Sequence, residues 1–297
     1  VNGKPSDGEH SWLIPPDNWA DIEDWHWACQ LQQAQAKRFG VEHMRSLEPV
    51  NAGALIWQLN DDWPVVSWAA VDFDGHRKPV WYASRDFFAP RLATIQPRVS
   101  DEYRETHSWE GTKTANDHFE LIVLNDTREA WKGTWKVERV TLDGEVLASQ
   151  SFDDVEHRAV CHIGLPLAED IVSYGDAGNE LVVATPSDNA FARVIFNPTE
   201  IIDQKLAAPA EAFSIAAVAV EDGVELTVTA KSYVRDLFCM ADKVDAKASV
   251  AEGMVSLLPG ESVVLHITTT DAGALADPNV FAAANVLRSA NDLKREW

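Results

Sequence analysis

The run Gly53-Ala54-Leu55-Ile56-Trp57-Gln58-Leu59-Asn60-Asp61-Asp62-Trp63-Pro64 holds the residue types best suited to chemistry in this chain. It is apolar for four residues and then turns to tryptophan, amide and carboxylate. Bounded by Gly53 and Pro64, the apolar part (54–59) predicts a buried strand. A polar and aromatic cluster at the C-terminal end of such a strand is what a parallel α/β barrel places at the mouth of its site. Trp57 offers a flat apolar face, and Asn60, Asp61 and Asp62 offer hydrogen-bonding groups beside it. Sugars present apolar C–H faces and many hydroxyls, so the combination suits a carbohydrate. Trp57 is the expected stacking residue, and Asn60, Asp61 and Asp62 are candidate hydroxyl contacts. Each of the three could instead hold or cap the loop. Trp63 and Trp68 are read as loop packing, and Gln33 as an ordinary polar residue of a helix.

Other groups that could do chemistry have structural alternatives. His26, His43 and His76 lack the i, i+4 spacing of a helical zinc site, so no metal is expected. Asp242, Asp245 and Glu252 are acidic but follow no closed calcium-loop pattern. Trp109, Trp131 and Trp135 could form a sugar platform, with core packing favoured. No cofactor-binding pattern is present, and none is expected.

These residues need elements to hold them. From about Asp24 to Leu47, Trp27, Leu31, Ala34, Val41 and Met44 recur on one helical face, with Asp24 as N-cap and Pro49 after the stop. A second helix is expected from Pro79 to Phe88. Beyond residue 90 the texture changes to short alternating stretches: 93–98, 118–124, 134–142, 145–152, 158–163, 180–185 and 190–196. Turn signals such as Asn125-Asp126 and Asp143-Gly144 separate them, which predicts a β-sandwich. A joint over 204–209 leads to stretches 213–220, 224–230, 237–241, 254–257 and 262–268, expected to form a smaller sandwich. An alanine-rich helix is expected over 277–293. One strand with its helices cannot close a core. The first 90 residues therefore read as the end of a larger α/β domain.

The formal charge of −22 is spread along the chain without a basic face. This argues against nucleic acid or an anionic membrane as partner. A neutral or cationic ligand fits better. No apolar run approaches the roughly 20 residues of a membrane span. Cys29, Cys161 and Cys239 are odd in number and far apart, and read as reduced thiols. That points to the cytoplasm, with a secreted bacterial enzyme lacking disulfides as the alternative. The chain starts at Val1 on a polar stretch without a signal-peptide pattern, and is expected to be a fragment or a processed chain.

Several of these stretches together carry a family likeness. Asp24-Trp25-His26-Trp27, Gln30-Leu31-Gln32-Gln33-Ala34, Phe39-Gly40-Val41-Glu42-His43 and the Trp57 run through Trp68 resemble the end of the catalytic barrel in β-mannosidases of glycoside hydrolase family 2. Val71-Asp72-Phe73-Asp74-Gly75 and Arg77-Lys78-Pro79-Val80-Trp81-Tyr82-Ala83 continue it. Asn125-Asp126-Thr127 with Trp131-Lys132-Gly133, then Val234-Arg235-Asp236-Leu237 and Leu257-Leu258-Pro259-Gly260-Glu261, resemble the sandwiches that follow. The likeness covers about residues 20–270. It implies the C-terminal portion of a (β/α)8 barrel (1–90), an immunoglobulin-like sandwich (91–205), a smaller one (206–273) and a helical tail (274–297).

Enzymes of this kind are exo-acting and retaining, and remove β-linked mannose from the non-reducing end of oligosaccharides. Retention requires two carboxylates about 5 Å apart. In the family, the acid/base glutamate follows an asparagine and the nucleophile follows a serine. No glutamate in this chain follows a serine, and the one Asn-Glu pair, Asn179-Glu180, falls in the predicted sandwich. The resemblance therefore places both catalytic glutamates before Val1, and implies that the missing N-terminal part of the same polypeptide is a partner. The chain alone is expected to be inactive. Two other readings stay open: a non-catalytic carbohydrate-binding fragment, and a family 2 enzyme of β-galactosidase or β-glucuronidase type.

Overall fold

A computed structural model describes residues 19, 21–51, 53–99 and 118–293. Helix α1 (Ile22–Arg45) starts at Asp21, whose carboxylate accepts from the Asp24 amide at 2.9 Å. The cap is thus three residues earlier than Asp24, and Asp24 joins Glu23 in the first turn, where carboxylates favour the helix dipole. His43 and Arg45 occupy the last turn. The predicted stripe is real: Trp27, Leu31, Ala34 and Val41 are buried, while Met44 is 43% exposed. Helix α2 (Pro79–Phe87) uses Pro79 where its missing N–H costs nothing, and buries Val80, Tyr82, Ala83 and Phe87.

The remainder is two antiparallel β-sandwiches. The first pairs the sheet β1 (Arg91–Arg98), β2 (His118–Asn125), β5 (Cys161–Pro166) with the sheet β4 (Val146–His157), β3 (Trp131–Thr141), β6 (Glu180–Pro186), β7 (Val194–Phe196). Trp131, Trp135, Phe191, Leu121 and Val182 lie in its core. Trp131 and Trp135 share a face as strand period requires, and that face is inward, at 6% and 0% exposure. They pack edge-on to Phe191, so core packing is their role. Trp109 lies outside the described residues.

The second sandwich joins β11 (Ser249–Val250), β13 (Ser262–Thr268), β9 (Gly223–Ala230), β8 (Phe213–Val220) to β12 (Val255–Leu257), β10 (Val234–Cys239), β14 (Leu287–Arg288). At the predicted Asp222-Gly223 turn, a Cβ on Gly223 would lie 1.9 Å from the Ile267 carbonyl, at φ +155°. Only glycine admits this approach. The two-residue strands β11 and β14 carry too little pattern to be read from sequence.

The helix expected over 277–293 is instead a 3₁₀ turn (Pro278–Ala282), the strand β14 and a second 3₁₀ turn (Ala290–Leu293). Alanine content favours a helix. Burial of Phe281, Leu287 and Ala290 in two different cores overrides it.

A third core lies where the helices meet both sandwiches. Trp27, Leu31, Tyr82 and Phe87 pack there with Val140 and Leu181 of the first sandwich and Phe238 and Met254 of the second. Trp27 stacks on Phe238 at 6.1 Å, and its Nε1 donates to the Ser289 carbonyl at 2.8 Å. Tyr82 Oη donates to the Val250 carbonyl at 2.7 Å. Arg45 donates to the carbonyls of Phe87 and Ala89 and pairs with Asp126 at 2.7 Å. Glu42 accepts from Thr94 on β1 at 2.8 Å. These contacts anchor the helical segment and therefore everything it carries.

Candidate functional site

The segment 54–59 is not a strand. It alternates as one: Ala54 and Ile56 turn in against the third core, while Leu55 is 100%, Trp57 73% and Leu59 67% exposed. The expectation of a buried strand is corrected on both counts. Period-two side-chain direction is local, but a strand also needs a backbone ladder. Among the described residues no ladder forms along the segment: an isolated bridge, Asn60–Val71, follows its end. The Trp57–Gln58 peptide is cis.

A closed loop follows. The Ala70 amide donates to the Gln58 carbonyl at 3.1 Å, Val71 to Leu59 at 2.9 Å, and Asp61 to Val71 at 3.1 Å, so the ends of the loop meet. Such a compact loop with adjoining ends packs on its own side chains. Asp61 is that packing. It is 4% exposed, and the Ser67 hydroxyl lies 2.6 and 2.8 Å from its two carboxylate oxygens. Lys78 Nζ lies 3.9 Å from the same carboxylate and donates to the Ser67 carbonyl at 3.2 Å. Burial pulls the Lys78 ammonium below its usual range, and Asp61 and Asp72 oppose the shift. From α1, Gln33 Nε2 donates to the Trp68 carbonyl at 2.6 Å.

The four candidates therefore separate. Trp57 stands in solvent, and Asn60 and Asp62, three and five residues further along the chain, are exposed as well. Asn60 Nδ2 donates to the Asp61 carbonyl at 3.1 Å. Asp61 faces inward. Trp63, expected to pack within the loop, is 62% exposed at its tip with Val66 at 66%. Residue types and spacing do not single out Ser67 and Lys78, and they give Gln33 only the role of an ordinary polar residue of a helix. All three lie in stretches that carry the family likeness, but neither residue type nor spacing singles them out; each acts because the fold brings it to the loop.

The other titratable groups have partners of their own. Glu180 is buried at the start of β6, where it accepts from Arg139 and from the Gly175 and Asp176 amides. His26 bonds Gln30, and His43 bonds Gln96. His76 bonds Asp72 and the Ala246 carbonyl. Asp245 accepts from Thr269, and Glu252 pairs with Arg85. Among the described residues no group of three His, Cys, Asp or Glu side chains could hold a metal ion. Burial pushes the Cys239 thiol up to about 12, with Asp242 adding to it, and burial raises Cys29. Such thiols are poor nucleophiles. No helix among the described residues is long and apolar enough to cross a membrane. A cleft of about 340 Å³, whose lining does not include Trp57, lies between the 74–77 turn and the second sandwich and is lined by His76, Arg77, Asp242 and Lys247 among others.

No protein-family model matches the chain. Among curated relatives, a β-mannosidase B of Aspergillus terreus is 31% identical over 129 residues, which is 41% of this chain and 14% of that protein. One of Neosartorya fischeri is 33% identical over 120 residues, 38% of this chain and 13% of that protein. Among solved structures, the β-D-mannosidase of Dictyoglomus thermophilum superposes with a TM-score of 0.69 at 18% identity, over 91% of this chain and 30% of that one. The exo-chitosanase of Amycolatopsis orientalis gives 0.57 at 16% identity, over 92% and 34%. The chain thus spans a minor part of each of these proteins. The structural likeness is one of fold, and the resemblance to the C-terminal part of family 2 β-mannosidases stands on these relatives together.

Proposed function

We propose that this chain is the C-terminal part of a retaining exo-β-mannosidase of glycoside hydrolase family 2. The parent would hydrolyse terminal non-reducing β-D-mannose from oligosaccharides. In this reading residues 1–90 end the catalytic barrel, 91–205 and 206–273 are immunoglobulin-like sandwiches, and both catalytic glutamates lie in sequence outside this chain. One observation carries the reading: Trp57 stands out of the segment between exposed Leu55 and Leu59, and Asn60 and Asp62 just after it in the chain are exposed too. An apolar row of this kind on a soluble-type surface marks an interaction site. Leu55 and Leu59 suit burial against further barrel strands, and Trp57 suits the C–H face of a sugar. Asn60 and Asp62 supply hydroxyl contacts, and Asp61 holds the loop that carries them.

The chemistry would be the two-step displacement of retaining glycosidases. One carboxylate attacks the anomeric carbon while the other protonates the leaving oxygen, and water then releases the sugar. This chain's share is positional. Trp57 and the loop fix the sugar ring, which converts binding energy into orientation.

A second reading, an exo-acting glycosidase for amino sugars, is favoured by the fold likeness to the exo-chitosanase and by the exposed carboxylate of Asp62. The test is expression of a longer polypeptide that carries the upstream coding region, assayed on nitrophenyl β-D-mannoside and β-D-glucosaminide. Turnover of the mannoside by the longer protein, with none by this chain, is expected. Preferential turnover of the glucosaminide selects the second reading. Turnover of the mannoside by this chain alone would remove the claim that its catalytic residues lie elsewhere.

A further inference from the structure

We propose that His76 is a positioning residue of the sugar-site wall: as an imidazolium it clasps the second sandwich to the turn that anchors the Trp57 loop. The proposal rests on the reading of that loop as a sugar wall. It answers what the C-terminal sandwich contributes to the site.

The ring is held at both ends. Nδ1 lies 2.9 Å from Asp72 Oδ2, and Nε2 lies 2.8 Å from the Ala246 carbonyl oxygen. An ionised carboxylate and a carbonyl both only accept. Two such partners require two N–H donors, and only the imidazolium has them. A neutral ring keeps one bond and sets a lone pair against the other acceptor.

Both partners are fixed by their own surroundings. Asp72 Oδ1 accepts from the His76 amide at 2.8 Å, and the Asp72 amide donates to the His76 carbonyl at 3.0 Å, which closes the 72–76 turn. On the sandwich, Asp245 accepts from the Lys247 amide and from Thr269 Oγ1 at 2.6 Å, and the Ala248 amide donates to the Asp245 carbonyl. The Ala246 carbonyl therefore sits on a built turn.

The route from the clasp to the sugar wall is short. Val71, next to Asp72, bridges both Arg77 and Asn60, and its carbonyl accepts from the Asp61 amide. Lys78 adds its amide to the Ala70 carbonyl and its ammonium to the Ser67 carbonyl. Displacing the 72–76 turn thus displaces the closure of the loop that presents Trp57.

The charges around the ring favour the cation on balance. Its own segment contributes Asp72, Asp74, Arg77 and Lys78, and the sandwich contributes Asp242, Asp245 and Lys247. Burial works to lower the imidazolium. The Ala246 carbonyl, the Asp72 hydrogen bond and charge, and Asp242 outweigh it and hold the group above its usual value.

The experiment is a pH titration of the native chain by NMR, with nitrogen-15 in the histidine rings and assigned amides at Asn60 and Asp61. Expected are a His76 midpoint above the ordinary value of about 6.5, both ring nitrogens protonated below it, and Asn60 and Asp61 signals that move with the same midpoint. Asp72→Asn should lower the midpoint, and His76→Gln should abolish the pH dependence at Asn60 and Asp61. A midpoint at or below the ordinary value, or Asn60 and Asp61 signals indifferent to His76, overturns the proposal. The native titration decides this even where a variant fails to fold. No sugar enters the measurement, so failure of the clasp leaves the mannosidase reading standing. Failure of the longer polypeptide to cleave a β-mannoside leaves the clasp standing but removes its link to a sugar wall.

Discussion

Asp61 and Trp57 lie four residues apart and answer to opposite physics. Asp61 is buried, so its carboxylate needs partners, and Ser67 and Lys78 are those partners. Asp61→Ala removes the acceptor of the Ser67 hydroxyl and the counter-charge of Lys78, and should cost about 1–3 kcal/mol, read as a lower urea midpoint. Trp57 makes the opposite prediction. At 73% exposure its truncation to alanine should change the stability of this chain by less than about 0.5 kcal/mol. In the longer polypeptide the same change should raise KM for a β-mannoside about tenfold, from lost stacking and contact area. A large stability loss in this chain would show that Trp57 is packing after all. At His76 the sign follows from a folded value raised above the unfolded one. The clasp's stabilisation is present in full below the unfolded value, about 6.5, and is lost as pH rises through the higher folded value. The difference in thermal midpoint between the native chain and His76→Gln should therefore shrink as pH is raised through that window.

Among the elements, α1 does the most positioning, because its buried stripe faces both sandwiches and its Gln33 reaches the loop. Leu31→Ala, at 1% exposure, should cost about 2–5 kcal/mol. Asp21→Ala, which removes the cap, should cost about 1 kcal/mol. Denaturant unfolding ranks the two, and the reverse order would place the helix's stability in its end instead of its core face. The same elements show what could be read in advance. The α1 stripe, the Pro79 start of α2 and strands such as β8, β9 and β13 were legible because period and turn residues are local. The cap was read three residues late because Asp21 and Asp24 are both good caps, and only the hydrogen bond chooses. Segment 54–59 has a strand's alternation without its ladder. The 277–293 tail has a helix's composition, yet two cores claim its apolar residues.

For the whole molecule, the outward side chains of 55–73 form an exposed apolar surface. Leu55, Leu59, Trp63, Val66 and Phe73 are each at least half exposed. A chain of net charge −22 resists self-association through long-range repulsion, while this surface favours it at contact. Salt screens the first and not the second. The isolated chain should bind a hydrophobic dye and associate more as ionic strength rises, and Leu55→Ser with Trp63→Ser should reduce both. Monomeric behaviour at every salt concentration, without dye binding, would mean that this surface is not one awaiting a partner.

The sequence by itself determined the succession of two helices and then two sandwiches, the inward stripe of α1 and the aromatic and polar run at Trp57. Each of these is written in spacings of a few residues. Tertiary structure alone decided which of four neighbouring polar and aromatic residues face out. It turned Asp61 inward to Ser67 and Lys78, left Trp57, Asn60 and Asp62 outward, and brought Ala246 to His76 across 170 positions of chain. Periodicity reports the direction of a side chain relative to its own backbone. What that side chain meets depends on segments far away in sequence, and those meet only when the cores close.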